Sequence, residues 1–204
     1  MYNSTSFIVL KKEPYQDAHL LLYGISPDFG KVSLLLYNGR KADKNHFPAA
    51  DIFQEFDITF DRRENSDLFT AKEMELVTDL SSLAENMLNF KFAGKIAKFL
   101  LAHTESEVPF PFTYDAARNV FMQLILPGDT PGKWSLEQAA AAFKLCYLYE
   151  SGLLPEFEGK VAELLESIIS AVIEGAILPM QPDSYYKKLN EYCNSLLEYH
   201  NISR

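Results

Sequence analysis

The chain has 204 residues, of which 48% are hydrophobic and 23% charged, and a formal net charge of −9. This is ordinary globular composition for one domain or two small ones, and it excludes a disordered, collagen-like or coiled-coil chain. A net negative charge also opposes indiscriminate nucleic-acid binding, though it leaves room for a local basic patch.

No apolar run approaches the roughly 18 residues of a membrane span. The opening residues Met1 to Ser6 show no basic segment followed by a long apolar stretch, so no secretory signal and no membrane partner are expected. Cys146 and Cys193 are the two cysteines. They are too few for a four-cysteine zinc site or a disulfide scaffold, and a reducing cytoplasm is the expected compartment.

The first third reads as β structure. Residues 5–10 are β-prone and run into Lys11-Lys12-Glu13-Pro14, where proline is expected to end the strand because it cannot donate to a ladder. Residues 18–26 form a second strand. Ser26-Pro27-Asp28-Phe29-Gly30 is turn chemistry, and residues 31–37 form a third strand. Asn38 to Asn45 is a polar, basic loop. Phe56, Ile58 and Phe60 then alternate with Asp57 and Thr59, as a half-buried strand requires. A charged turn follows, and residues 68–76 complete five strands. Closely spaced strands and turns suggest a small barrel or sandwich, and a five-stranded OB barrel is an economical solution. Strand count alone does not separate it from an SH3-like barrel.

The remainder reads as helices. Residues 80–103 carry Leu88, Phe92, Ile96 and Phe99 near one face, with Lys91, Lys95 and Lys98 on an adjacent one. Val108-Pro109-Phe110-Pro111-Phe112 breaks the pattern. A second helix covers 113–126 and stops at Pro127-Gly128. Ser135 and Gln138 have capping-box spacing before a helix that ends near Gly152. Residues 159–177 form an amphipathic helix ended by Pro179 and Pro182, and Asp183 is expected to cap a last helix to about His200. The expected fold is therefore α+β: an OB-like domain over 1–78 and a helical domain over 79–204.

The usual catalytic signatures are absent. The sequence has no phosphate loop, no Gly-x-Gly-x-x-Gly, no His-Glu-x-x-His, no Cys-x-x-Cys and no nucleophile elbow. His19, His46, His103 and His200 are scattered. Cys146 and Cys193 sit in apolar helical patterns, where packing is the default role. Glu156 and Glu158 read as solvated loop charge. No catalytic residue, cofactor, metal or small-molecule substrate is expected. An enzyme would require a pocket of converging histidines and carboxylates.

One combination does point to chemistry. Residues 1–48 hold six basic against four acidic residues, or +2, which leaves −11 for the other 156. Lys11, Lys12, Arg40, Lys41 and Lys44 are interleaved with Phe7, Tyr15, Tyr23, Phe29 and Tyr37. Single-strand binding needs both parts: cations that track phosphates and π-faces on which bases stack. The bland reading is core aromatics and solvated loops. Likewise, Lys91, Lys95 and Lys98 form either a solvated face or an anion site beside an apolar groove.

The N-terminal block resembles the bacterial recombination mediator family RecO. The resemblance is carried by Phe7 to Tyr15, Asp17, Leu20 to Leu22, Ser26 to Lys31, Gly39-Arg40-Lys41 and Lys44. Weaker matches lie at Ala142 to Leu145, Gly152 to Glu156 and Leu197 to His200. The resemblance implies an OB barrel followed by a helical domain. It also implies binding of single- and double-stranded DNA, strand annealing, and loading of RecA on SSB-coated DNA together with RecR and RecF. On this analogy Lys11, Lys12, Lys31, Arg40, Lys41 and Lys44 contact phosphates, and Tyr15 stacks. Lys91, Lys95 and Lys98 would favour the acidic SSB tail or an extension of the DNA path.

The chain departs from the family pattern in two ways. Pro155 leads through Glu156 to Lys160 straight into a helix, with no cysteines where many RecO proteins carry a zinc module, so no zinc is expected. Tyr37-Asn38 and Asp43 dilute the loop charge, so weak, salt-sensitive DNA binding is expected. The alternative is an interaction adaptor on the same fold that does not bind DNA.

Overall fold

A computed structural model describes residues 3–39, 48–62 and 68–202. Five strands, β1 (Asn3–Tyr15), β2 (His19–Ser26), β3 (Gly30–Leu36), β4 (Gln54–Arg62) and β5 (Leu68–Asp79), close into a barrel in the order β1-β2-β3-β5-β4. All pairs are antiparallel except β3 with β5, which run parallel from Ser33–Leu68 to Leu35–Thr70. This is the expected OB-like fold. Phe7, Val9, Leu22, Leu34, Leu36, Phe56, Ile58 and Phe60 fill the barrel.

Strand β1 has two particular features, and the second departs from the sequence reading. The run Phe7-Ile8-Val9-Leu10 is buried throughout instead of alternating. Phe7 and Val9 point into the barrel, whereas Ile8 and Leu10 lie outside its core cluster on a strand that a helix also covers. The strand also continues through Pro14 to Tyr15. A register shift at Leu10 marks a bulge, and beyond it β1 pairs with β2 alone. A proline is tolerated there because only one side of the strand carries a ladder.

The chain forms two compact units, Met1–Pro111 and Phe112–Arg204. The expected boundary at residue 78 falls at the end of β5, but the first unit includes more. A 3-10 turn (Ser81–Glu85) leads into helix α1 (Met87–His103), which is capped by Asn86 Oδ1 accepting from the N–H groups of Leu88 and Asn89. The expected continuous helix over 80–103 is therefore interrupted.

After α1, residues 105–110 run beside the β2–β3 turn. Lys31 N donates to Glu105 O (3.0 Å), Glu107 N to Phe29 O (2.8 Å) and Phe110 N to Pro27 O (2.9 Å). The turn itself is pinned from inside. Thr5 Oγ1 donates to Asp28 Oδ2 (2.6 Å), and Ser26 Oγ accepts from the N–H groups of Asp28 and Phe29. Gly30 has φ +60°, and a Cβ there would lie 2.3 Å from Glu105 O. The segment Ser26 to Lys31 therefore holds α1 and its following chain to the barrel.

The second unit is helical: α2 (Pro111–Ile125), α3 (Leu136–Glu150), α4 (Gly159–Glu174) and α5 (Asp183–Tyr199). The capping box forms as expected, with Gln138 N donating to Ser135 Oγ and Ser135 N to Gln138 Oε1. Helix α3 is the hub, buried from Ala139 through Leu148 on several sides. Its Lys144 Nζ reaches Asn190 and Asn194 of α5, each at 2.7 Å. Helix α4 ends at Gly175, in the left-handed conformation, earlier than the prolines suggested. Helix α5 begins at Asp183 with Pro182 at the cap position. Cys146 and Cys193 are buried and free, and burial pushes both thiols up, consistent with packing roles.

Candidate nucleic-acid interface

The predicted cations occupy several distinct environments. Arg40, Lys41 and Lys44 lie outside the described residues. Lys11 and Lys12 follow the bulge at Leu10 and, as successive strand residues, project to opposite faces of β1. Each meets a carboxylate. Lys11 Nζ is 2.7 Å from Glu13 Oε1, and Lys12 Nζ is 2.8 Å from Asp51 Oδ1.

The titrations reflect these pairs. The hydrogen bond to Glu13 holds the Lys11 ammonium above its ordinary value, and the same bond holds the Glu13 carboxyl below its own. Partial burial pushes the Asp51 carboxyl up. Hydrogen bonds from Lys12 and the Ile52 N–H outweigh it, and the net shift is downward. Lys11 also stands 5.2 Å from the centroid of the Tyr23 ring, within cation–π range.

Lys31 is engaged differently. It is half-buried on β3, and its Nζ lies 3.4 Å from the carbonyl of Leu101 near the end of α1. A cation at a helix C-terminus is stabilising.

The barrel rim brings together aromatic groups that the sequence keeps apart. Tyr15 pairs with His19 across the β1–β2 hairpin, so the two share a face. The His19 ring meets Tyr37 edge-on at 4.9 Å, and its Nδ1 accepts from Asn38 N at 3.1 Å. Tyr15, His19 and Tyr37 thus form a row across β1, β2 and the turn that follows β3, with Tyr15 and Tyr37 exposed. Tyr37 lies three residues before Arg40, where the basic loop begins. His19 was read as one of four scattered histidines. Only the pairing register reveals its place, and the two-strand pattern with a tight turn at Gln16 to Ala18 is the signal for that register.

The lysines of α1 are exposed and on one side of the helix. The structure relates them to the barrel within the first unit. Phe90, Gly94, Ala97, Lys98 and Leu101 of α1 face Leu10, Lys11, Ile52 and Phe53 across an open groove of about 470 Å³. Its lining is predominantly apolar, with Lys11 on the strand wall and Lys98 on the helix wall. Lys91 and Lys95 extend the charge along the adjoining surface. Of the three helix lysines, Lys98 lines the groove, and it shares it with Lys11.

Among the described residues, no group of histidines, cysteines and carboxylates is arranged to hold a metal ion. None of their helices is long and apolar enough to cross a membrane.

Residues 1–79 match the family described as recombination protein O, N terminal. No curated protein matches the chain. The match covers the barrel, and the chain is similar there to the N-terminal domain of recombination protein O.

Proposed function

We propose that this chain is a DNA repair and recombination mediator of RecO type that binds single- and double-stranded DNA and anneals complementary strands. In this reading it assists RecA loading on SSB-coated DNA with RecR and RecF, in the cytoplasm at the nucleoid, without bond-making chemistry of its own. The observation that carries the proposal is the aromatic row Tyr15, His19 and Tyr37 at the entrance to the basic loop of a RecO N-terminal barrel. Bases stack on such rings while Arg40, Lys41 and Lys44 hold phosphates. Lys11, Lys12 and Lys31 are supporting contacts. The groove flanked by Lys11 and Lys98, with Lys91 and Lys95 beside it, supports the docking of the acidic, Phe-terminated SSB tail or continuation of the DNA path.

A second reading rests on the ion pairs of Lys11 and Lys12. If these cations are unavailable to phosphates, the chain is an adaptor that binds RecR or the SSB tail without DNA. Fluorescence anisotropy of a labelled single strand, longer than the roughly 4–16 nucleotides an OB fold covers, separates the two. Saturable binding that weakens linearly on a log–log salt plot supports the mediator. Absence of binding even at low salt rejects it and leaves the adaptor, which SSB-tail and RecR titrations then test.

A further inference from the structure

The second unit carries a groove whose charge is opposite to that of the barrel groove. Helix α3 ends at Glu150, and the chain reverses through Gly152, in the left-handed conformation at φ +67°. Leu153 N donates back to Leu148 O at 2.9 Å, which fixes the reversal. The segment Leu154-Pro155-Glu156-Phe157 then lies against α4. Tyr149, Leu154 and Phe157 face Ala162, Leu165 and Ile169 across a groove of about 280 Å³. Phe157 is held from behind by the Tyr192 ring of α5, 6.2 Å away.

The volume and the charge identify the occupant. Pockets for drug-sized ligands and cofactors take roughly 300–1,000 Å³, so this groove suits an apolar side chain rather than a cofactor. Glu156 and Glu166 are the charged residues in its lining, and no lining residue is basic. Lys160, by helical position, lies on the far side of α4 from Ala162 and Ile169. The whole segment 112–204 carries twelve acidic against seven basic residues, a net −5. An acidic peptide or nucleic acid is repelled here, whereas a cationic apolar one is attracted.

We infer that the groove between the end of α3 and α4 docks a segment of a protein partner that presents an apolar side chain flanked by lysine or arginine. Glu156 and Glu166 pair with the flanking cations, and Leu154, Phe157 and Leu165 receive the apolar anchor. The site is separate from the DNA reading and does not depend on it.

The test uses the full chain and three short labelled peptides. One carries leucine and phenylalanine anchors flanked by lysines, one has glutamates in place of the lysines, and one keeps the lysines but replaces the anchors by serine. Only the first is expected to bind saturably in fluorescence anisotropy. Its amide chemical-shift changes are expected to centre on Gly152, Phe157 and Ala162. Glu156→Gln with Glu166→Gln should weaken it roughly 2- to 30-fold, since exposed pairs are individually weak. Ala162→Trp, which fills the groove, should abolish binding while its own amide spectrum away from the groove keeps the wild-type pattern. Binding of the glutamate peptide, equal binding of the serine peptide, or no effect of the glutamine pair overturns the inference. A concentration-dependent dimer in sedimentation velocity that the same glutamine substitutions dissolve would assign the groove to a second copy, and would likewise overturn it.

Discussion

The ammonium of Lys12 lies 2.8 Å from the carboxylate of Asp51, across from a strand that would otherwise offer that charge to solvent. In the proposed DNA-bound state the carboxylate and a phosphate compete for one cation. Asp51→Asn removes the competitor but keeps an oxygen to accept the Ile52 N–H. Exposed pairs contribute about 0.2–1 kcal/mol, so single-strand affinity should rise roughly 1.5- to 5-fold. Lys12→Ala in the Asp51→Asn background should erase the gain. If the gain survives in that double variant, it reflects net charge and not release of Lys12.

The basic loop and the aromatic row should fail in different ways. Each lost phosphate contact removes about 0.7 from the salt slope of single-strand binding, so Arg40→Ala, Lys41→Ala and Lys44→Ala together should lower it by about 2. Tyr37→Ala or His19→Ala removes a stacking surface worth about 1–3 kcal/mol per base, and should weaken binding with the slope unchanged. Salt titrations of the two variant sets decide it. A triple loop variant with unaltered slope would place the phosphate contacts elsewhere.

The barrel was legible because its strands differ sharply from the helices in period and are bounded by strong turn chemistry. The capping box at Ser135 and Gln138 was legible for the same reason, since both partners are local in sequence. The organisation of the site was not. A single bulge at Leu10 shifts the alternation and so decides which face Lys11 and Lys12 each take, and nothing in Leu10-Lys11-Lys12 announces it. Pro14 reads as a strand end unless one knows that β4 has already left that side of β1. Asp51 is 39 residues from Lys12, and Lys98 is 87 from Lys11, so their meetings depend on tertiary structure. The motif Ser26 to Lys31, which helped carry the family resemblance, proves to be chiefly a structural clasp in this unit.

Among the depressed carboxyls, Asp79 and Asp51 contribute to the acid limb of stability. The N–H of Ser81 donates to Asp79 Oδ1 at 2.9 Å and lowers the Asp79 carboxyl, opposed by slight desolvation. Asp51 is also lowered on balance. A depressed folded-state value means the ionised form is favoured by folding. The contribution is therefore complete above the ordinary aspartate value of about 3.9 and is lost as pH falls through the lower folded value. Urea melts between pH 6 and pH 2.5, pH values chosen to bracket about 3.9, should show wild-type stability falling with acid. Asp79→Asn should be less stable at the upper pH and flatten the fall. An unchanged acid limb in Asp79→Asn and Asp51→Asn would assign it to other carboxylates.

At Gly30 the barrel backbone packs directly against the chain after α1. Its φ of +60° is unfavourable for any residue with a Cβ, and an added Cβ would lie 2.3 Å from Glu105 O and 2.4 Å from Val108 O. Both obstacles are backbone atoms, so no side chain can turn aside. Gly30→Ala must therefore displace the segment 105–110, breaking the hydrogen bonds that Lys31 N and Glu107 N make across it. The expected loss exceeds the roughly 1 kcal/mol of backbone strain alone, because these backbone hydrogen bonds are lost with it. The informative measurement is amide hydrogen exchange. Protection should fall at Lys31, Glu107 and Phe110 while the barrel amides of Phe7 and Leu22 stay protected. Uniform loss of protection would mean that the clasp and the barrel open together, and that residues 105–110 are integral to the barrel's cooperative unit.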